Sequence, residues 1–369
     1  MPEDYDVPRL PASEWLSGFE ERYLADYVVS GGSVVRFVSG DDAALSSVRS
    51  GLERIARDRN YYFRFLDSGI PGPDGKPPQY HTISRLYGAV TECVDWQGWA
   101  REQARRVLDD LGIRVPTGCD LGDIETIAAA NGADRDTLIK QYTEQARRRV
   151  QDYDMTVEFR NAVTSLWADQ LHPDTTTPGL GEVLTAWLSG RTMPPGGSSV
   201  LKRCQIYGRI GPTNARHYLV SFCEWTRRVG RSGVLLALDF RGYERVDGAR
   251  TLAADTLAAV KSAIEEGKST REIEQIVAAM GSESSSVRHS KRAYEQMISL
   301  LRRFIDEIDR FPSLALVVMA SPGYFGPEAP RVRTYRDYNA LQTRIGDEVH
   351  DRRRANPDAA LVHLKGDLP

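Results

Sequence analysis

Short apolar runs rich in β-branched residues alternate along this chain with longer segments in which apolar residues recur every three or four positions. The runs at 34–38, 61–66, 233–239, 314–320 and 359–364 have the length and composition of β-strands. The run at 233–239 is apolar almost throughout, which is typical of a strand buried on both faces of a parallel sheet. The alternation predicts an α/β fold with a central, mostly parallel five-stranded sheet flanked by helices.

Helical periodicity dominates the long stretch between the second and third strands. We expect helices over 83–94, 99–111, 121–131, 134–153 and 157–171, and loops over 8–11 and 193–199. These helices predict a large insertion over about 79–205 within a single domain that spans 1–369. A second, polar and alanine-rich helical insertion is expected over about 247–286, and no C-terminal lid or winged-helix domain is expected after the last strand.

The composition and charge of the chain argue against several classes of function. The chain has 369 residues, 41% of them hydrophobic, and a net charge of −3, which argues against a protein that coats nucleic acid. The four cysteines form no CxxC pair and the six histidines show no metal-ligand spacing, so no metal site is predicted. No membrane-length apolar run or signal peptide is evident, and we expect a cytoplasmic protein without a membrane partner.

The segment after the first strand lies where a phosphate-binding loop would follow. Gly40 and Ser47 hold the outer positions of the pattern Gly-x₄-Gly-Lys-Ser/Thr, but Leu45 and Ser46 replace the inner glycine and the lysine. A charge-assisted hydrogen bond contributes about 1.5–3 kcal/mol, so loss of the lysine alone should weaken triphosphate binding markedly. The alternatives are an ordinary strand-to-helix turn, or residual nucleotide binding through Ser46, Ser47 and backbone N–H groups.

Acidic residues in this segment and at the end of a later strand bear on whether a phosphate could bind here. Asp41 and Asp42 place negative charge where a phosphate would approach. Asp239 ends the buried strand at 233–239, where P-loop proteins place their magnesium-organising aspartate, although such a residue can also cap the following loop. Phe240 follows at the position where many ATPases have a glutamate that polarises water, and it cannot accept a proton.

Several short motifs follow one another in order and carry a resemblance that runs from about 15 to 364. They are Gly31-Gly32-Ser33, Arg36-Phe37, Gly40-Asp41, Asn214-Ala215-Arg216, the run 233–239, Tyr294-Glu295, Ser321-Pro322-Gly323-Tyr324-Phe325, and Arg333-Thr334-Tyr335 with Leu341 and Arg344. Together they resemble the ATP-binding-domain proteins of the BREX phage-defence systems. The resemblance implies an AAA+-like (P-loop NTPase) core, with Ser321 at the sensor position and Arg344 in the family's arginine-bearing helix.

Three departures from that family bear on activity. Its GxGK segment is Ala43-Ala44-Leu45-Ser46 here, its Asp-Glu pair is Asp239-Phe240, and its helical lid is not found. These changes remove the phosphate clamp, the water-activating acid and the cover over the nucleotide. We therefore expect a vestigial nucleotide pocket without a catalytic residue, made of Gly40, Asp41, Ser46, Ser47, Asp239, Ser321 and Arg344.

The first functional hypothesis is a catalytically inactive pseudo-ATPase that serves as an interaction or regulatory subunit in an antiphage defence system. Its partners would be other protein subunits, including an intact ATPase paralogue, and no cofactor is predicted. The second is a BREX-type ATPase with an unusual P-loop, which would bind ATP and magnesium. The third is a DNA-binding module that uses the arginine clusters 147–149 and 352–354, which otherwise read as solvated helix faces.

Overall fold

A single parallel sheet forms the centre of the protein, which we analysed as a computed structural model. The structure describes residues 8–72, 74–151, 154–171, 179–244, 262–264, 268–269, 271, 288–322, 324–325, 336–346 and 356–367. The strands are β1 (Leu10–Pro11), β2 (Val34–Ser39), β3 (Tyr62–Asp67), β4 (Val234–Asp239), β5 (Leu314–Ala320) and β6 (Leu361–Lys365). They lie in the order β1-β6-β2-β5-β4-β3, and every pair is parallel.

The prediction of an α/β fold with one mostly parallel sheet flanked by helices is confirmed, but the predicted strand number was wrong. Six strands are present in the described chain, because Leu10 and Pro11 add a two-residue strand beside β6. The segment had been predicted as a loop, since two residues show no periodicity. Proline is tolerated there because an edge strand need not donate every backbone hydrogen bond.

One face of the sheet is covered by two helices from the start of the chain. These are α1 (Ala12–Phe19), which continues into a π-helical turn over Glu20–Leu24, and α2 (Asp42–Asp58). Their buried side chains pack with alternate strand residues such as Val38, Leu235 and Val317. Because successive side chains of a strand point to opposite faces, the remaining strand residues face the other layer.

The opposite face carries the predicted insertion and the later helices. In chain order these are α3 (Ile83–Thr91), α4 (Trp96–Asp110), α5 (Ile124–Ala130), α6 (Arg135–Gln151), α7 (Val157–Asp169), α8 (Leu180–Leu188), α9 (Gly197–Arg203), α10 (Ala215–Arg228), α11 (Arg241–Glu244), α12 (Lys291–Asp306) and α13 (Arg336–Ile345). Their apolar residues join the sheet in one continuous buried cluster. Trp96, Trp167 and Trp187 belong to that cluster, as expected for core residues of the insertion.

One helix of the insertion was not predicted. Helix α9 begins at Gly197, inside the segment predicted as a loop over 193–199, and Gly196 before it adopts φ +77°. Prolines and glycines obscured a seven-residue helix whose apolar pattern is too short to read. The second predicted insertion, 247–286, lies outside the described residues except for 262–264, 268–269 and 271, and the arginines at 352–354 lie outside them as well.

Candidate functional site

The loops after β2 and β5 leave the sheet toward opposite faces. Helix α2 follows β2 and packs on one face, whereas α13, the next described helix after β5, packs on the other. The two strands are neighbours, so this is the point at which an open α/β sheet forms a crevice beyond its strand ends. We call the region at the ends of β2, β4 and β5 the carboxyl edge, and it holds most of the predicted site residues.

The junction between β2 and α2 is short and tightly packed. The backbone N–H of Gly40 donates to the carbonyl of Ala320 on β5 at 3.1 Å. A side chain at position 40 would crowd against Ala44 at 3.1 Å and Leu364 at 3.4 Å. Helix α2 begins at Asp42, so only Gly40 and Asp41 connect strand and helix. This geometry is that of an ordinary strand-to-helix turn, the alternative that the sequence left open.

The first turn of α2 is already capped by acidic side chains. Asp41 is the N-cap and accepts a hydrogen bond from the backbone N–H of Ala44 at 2.8 Å. Asp42 follows in the first turn, where a carboxylate interacts favourably with the helix dipole. The end of the helix that would attract a phosphate therefore carries two negative charges of its own.

The remaining residues of the predicted loop lie within α2. Leu45 is 1% exposed and packs in the core beneath the helix. Ser46 is exposed and Ser47 half-buried, both past the first helical turn, where backbone N–H groups bond within the helix. In this conformation neither backbone group is free to bind a phosphate.

A charged triad occupies the space beside the end of β4. The Asp239 carboxylate is buried and accepts hydrogen bonds from the Arg241 guanidinium at 2.6–3.1 Å, and from the Arg241 backbone N–H at 3.0 Å. The same guanidinium also bonds to Asp42 at the start of α2. These carboxylates raise the pKa of Arg241 above its ordinary value, with the hydrogen bonds to Asp239 as the largest cause.

The donor set at Asp239 does not fit a magnesium ion in this arrangement. Both carboxylate oxygens are hydrogen-bonded to the Arg241 guanidinium, so a magnesium ion bound through this carboxylate would have to displace that cation. Within the described ranges, no group of three or more His, Cys, Asp or Glu side chains is arranged to hold a metal.

Phe240 lies away from the crevice. Its side chain is fully buried and packs against the rings of Tyr243, Tyr294, Tyr324 and Phe325, with centroids 5.5–6.2 Å apart. Residue 240 is therefore part of an aromatic core cluster, which excludes water from the position that an activating glutamate would need.

Ser321, directly after β5, is hydrogen-bonded to Glu244, an acid that the sequence did not single out. Its backbone N–H donates to the Glu244 carboxylate at 2.8 Å. Burial is the largest influence on Glu244 and raises its pKa above the ordinary value, while the bonds to Ser321 oppose the shift. Glu244 follows Asp239 by five residues, and the turn of α11 brings its carboxylate to Ser321 after the end of β5.

Arg344 is not near the other predicted site residues. It lies in the last turn of α13 and pairs with Asp306, at 2.5 and 3.1 Å, at the end of α12. Helix α12 ends seven residues before β5 begins, so this pair lies toward the amino ends of the strands. The structure thus brings Gly40, Asp41, Asp239 and Ser321 to one edge and leaves Arg344 at the other.

Two histidines, far apart in the sequence, contact the same tyrosine in the fold. His289 is 1% exposed, stacks on Tyr243 at 3.8 Å between ring centroids, and contacts the carbonyl of Ser68 at 2.9 Å. His81 lies 3.2 Å from the Tyr243 hydroxyl. Its pKa falls to about 4, chiefly because of burial and secondarily because of His289.

A further pair lies at the end of β6. The ring nitrogen Nδ1 of His363 is 2.8 Å from the hydroxyl of Ser39, the last residue of β2. Ser39 is 1% exposed, so its hydroxyl links two neighbouring strands inside the protein rather than facing the crevice.

Comparison with known proteins identified no relative. No family model matches the chain, and neither a curated protein nor a solved structure matches it. Among the helices of the described segments, none has the length and apolarity needed to cross a bilayer. At the carboxyl edge, the charged groups of Asp239, Arg241 and Asp42 are engaged with one another.

Proposed function

We propose that this chain is a catalytically inactive, AAA+-like subunit that acts by binding other proteins. The observation that carries the proposal is the triad of Asp239, Arg241 and Asp42. The arginine satisfies the carboxylate that a magnesium ion would need, and no cation in the triad is left for a phosphate. Helical conformation over Asp42–Asp58, in place of a phosphate-binding loop, supports the same conclusion.

The core of the fold is intact around an edge whose charges are engaged internally, which supports a structural rather than a catalytic role. Strands β4 and β5 are buried along their whole lengths, and a continuous core joins them to the insertion. The proposed contact surfaces are the insertion and the segment 252–279. The motif resemblance makes an antiphage defence system the proposed setting, with an intact ATPase paralogue as a candidate partner.

An ATP hydrolysis assay tests the inactive half of the proposal. We expect the purified protein and its Asp239→Ala variant to release phosphate at the same background rate. A rate above background that Asp239→Ala abolishes would establish the rival ATPase, using an unusual loop or a cation from a neighbouring subunit.

Co-purification tests the interaction half. The protein would be co-expressed with the products of the genes that flank its own and separated by size-exclusion chromatography. We expect it to elute in a stoichiometric complex with at least one of them. Elution alone in every combination would contradict a role as a subunit.

A further inference from the structure

A second concentration of charge lies in the insertion, far along the chain from the carboxyl edge. A cavity of about 410 Å³ opens between α6, α7 and the residues after α9. Its lining includes Arg147, Arg160 and Arg203 together with Asn161, Ser165 and Gln205, and no acidic residue lines it in the described structure. We call this cavity the arginine pocket.

The sequence of α7 places a polar face on the pocket. Positions 157, 160, 161, 164 and 165 line it, at the spacing that gathers side chains on one side of a helix. The opposite side of α7 is buried against the core through Phe159, Val163 and Leu166. Core packing of α7 therefore fixes the orientation of Arg160 and Asn161 toward the cavity.

The three arginines at 147–149 lie in different surroundings and have different partners. Arg148 pairs with Glu144 at 2.6 Å, and Arg149 pairs with Asp110 at 2.7 Å. Arg147 lines the pocket and has no ion-pair partner in the described part of the chain. The triplet thus supplies one uncompensated charge to the pocket rather than a continuous basic track.

Arg160 is held in place yet incompletely bonded. Its Nη1 donates to the carbonyl of Gln151 at 3.0 Å, and its buried Nε has no hydrogen-bond partner in the described residues. Because that nitrogen is shielded from solvent, the terminal nitrogens of the guanidinium are the groups that Arg160 offers to a ligand in the cavity. Arg203, which has another interaction of its own, adds a third guanidinium to the lining.

We propose that the arginine pocket binds the phosphate group of a small phosphorylated molecule. Guanidinium groups present paired N–H donors that match phosphate oxygens, and neutral donors such as Asn161 and Ser165 complete such a site. Val150 and Val157 give the cavity apolar walls, and its volume suits a small ligand. A nucleic-acid strand is disfavoured because it needs cations spaced along a track, and Arg148 and Arg149 are already paired.

Titration calorimetry with inorganic phosphate and pyrophosphate tests this site. We expect saturable binding, stronger for pyrophosphate, that weakens roughly ten- to hundredfold in Arg160→Gln and in Arg147→Gln. The matched control is Arg148→Gln, which removes a neighbouring charge outside the pocket and should bind as the wild type does. Thermal unfolding of each variant shows whether a lost signal reflects lost folding; Arg147 is exposed, so its variant should fold normally.

Two results would overturn the assignment. One is the absence of saturable binding of either probe to the wild-type protein at millimolar concentration. The other is binding of a single-stranded oligonucleotide that Arg148→Gln weakens as much as Arg147→Gln, which would indicate a nucleic-acid surface instead. The inference goes beyond the proposed function, because it concerns residues distant from Asp239 and holds whether or not the protein hydrolyses ATP.

Discussion

The carboxyl edge of the sheet and the arginine pocket of the insertion both gather charged side chains, but they treat those charges differently. At the edge, Arg241 lies between two carboxylates and every partner in the triad is engaged. In the pocket, Arg147 has no described ion-pair partner and Arg160 donates to a backbone carbonyl rather than to a carboxylate. The edge lies where ligands bind in open α/β sheets, yet the pocket has the charges available for an external anion.

The two regions thus differ in whether their charges are already engaged within the protein. Replacing residues at the edge should damage the folded state, because their interactions are internal. Replacing the exposed Arg147 of the pocket should leave folding intact and change only what the protein binds. Stability measurements therefore separate the two regions even before any ligand is known.

The largest expected effect comes from the close approach of two backbone turns at the edge. A methyl group at Gly242 would overlap the carbonyl of Ser68, whose hydroxyl also bonds to the Gly242 N–H at 3.0 Å. We expect Gly242→Ala to lower the free energy of unfolding by about 3 kcal/mol, measured by urea denaturation. Gly211→Ala is the control, since open space surrounds that position, and equal losses in both variants would contradict the account.

A smaller loss is expected when the triad is broken. Arg241→Met leaves the buried Asp239 carboxylate without its cation, which we expect to cost about 2 kcal/mol because Arg241 is itself partly exposed. The double variant Asp239→Asn with Arg241→Met should recover part of that loss, since no unpaired charge remains. Additive losses in the denaturation free energies would show that the pair is not coupled.

The histidines of the edge predict a pH dependence. His81 has its pKa lowered to about 4 in the folded protein, so the unfolded chain takes up its proton first as the pH falls below about 6.5. Its contribution to stability is therefore present above pH 6.5 and is lost between 6.5 and 4. His81→Gln should show a shallower decline in unfolding free energy from pH 7.5 to 5, and an unchanged slope would contradict burial of this ring.

The smallest effect belongs to the pocket. Arg147 is exposed and makes no described ion pair, so Arg147→Gln should change the unfolding free energy by less than about 0.5 kcal/mol. A loss comparable to that of Arg241→Met would mean that the pocket, like the edge, holds its charges for internal stability.

Local sequence patterns predicted the buried strands well, because burial requires an unbroken apolar run. Strand β5 occupies the predicted residues 314–320, and β4 differs by one residue. Strand β1 was not predictable, since its two residues form a strand only because β6 returns beside them from the far end of the chain. The prediction missed helix α9 for a similar reason, because the few apolar contacts of this short helix depend on the neighbouring helices.

The candidate site was only partly predictable. Asp239 and Gly40 follow apolar runs, so their place at the strand ends could be read from the sequence. The role of Arg241 could not, because its second partner, Asp42, is 199 residues away along the chain. Arg344 was placed in the site through motif resemblance alone, and its helix carries it to the opposite end of the sheet.

Titration of MgATP into the Arg160→Gln variant distinguishes an internally engaged carboxyl edge from a working nucleotide site. The variant weakens the arginine pocket, and the comparison with Asp239→Ala in the same background assigns any remaining affinity to the carboxyl edge or away from it. With Arg241 bonded to Asp239 and Asp42, we predict no saturable heat at millimolar nucleotide. Micromolar binding that disappears on Asp239→Ala would contradict the account and restore the edge as a working nucleotide site.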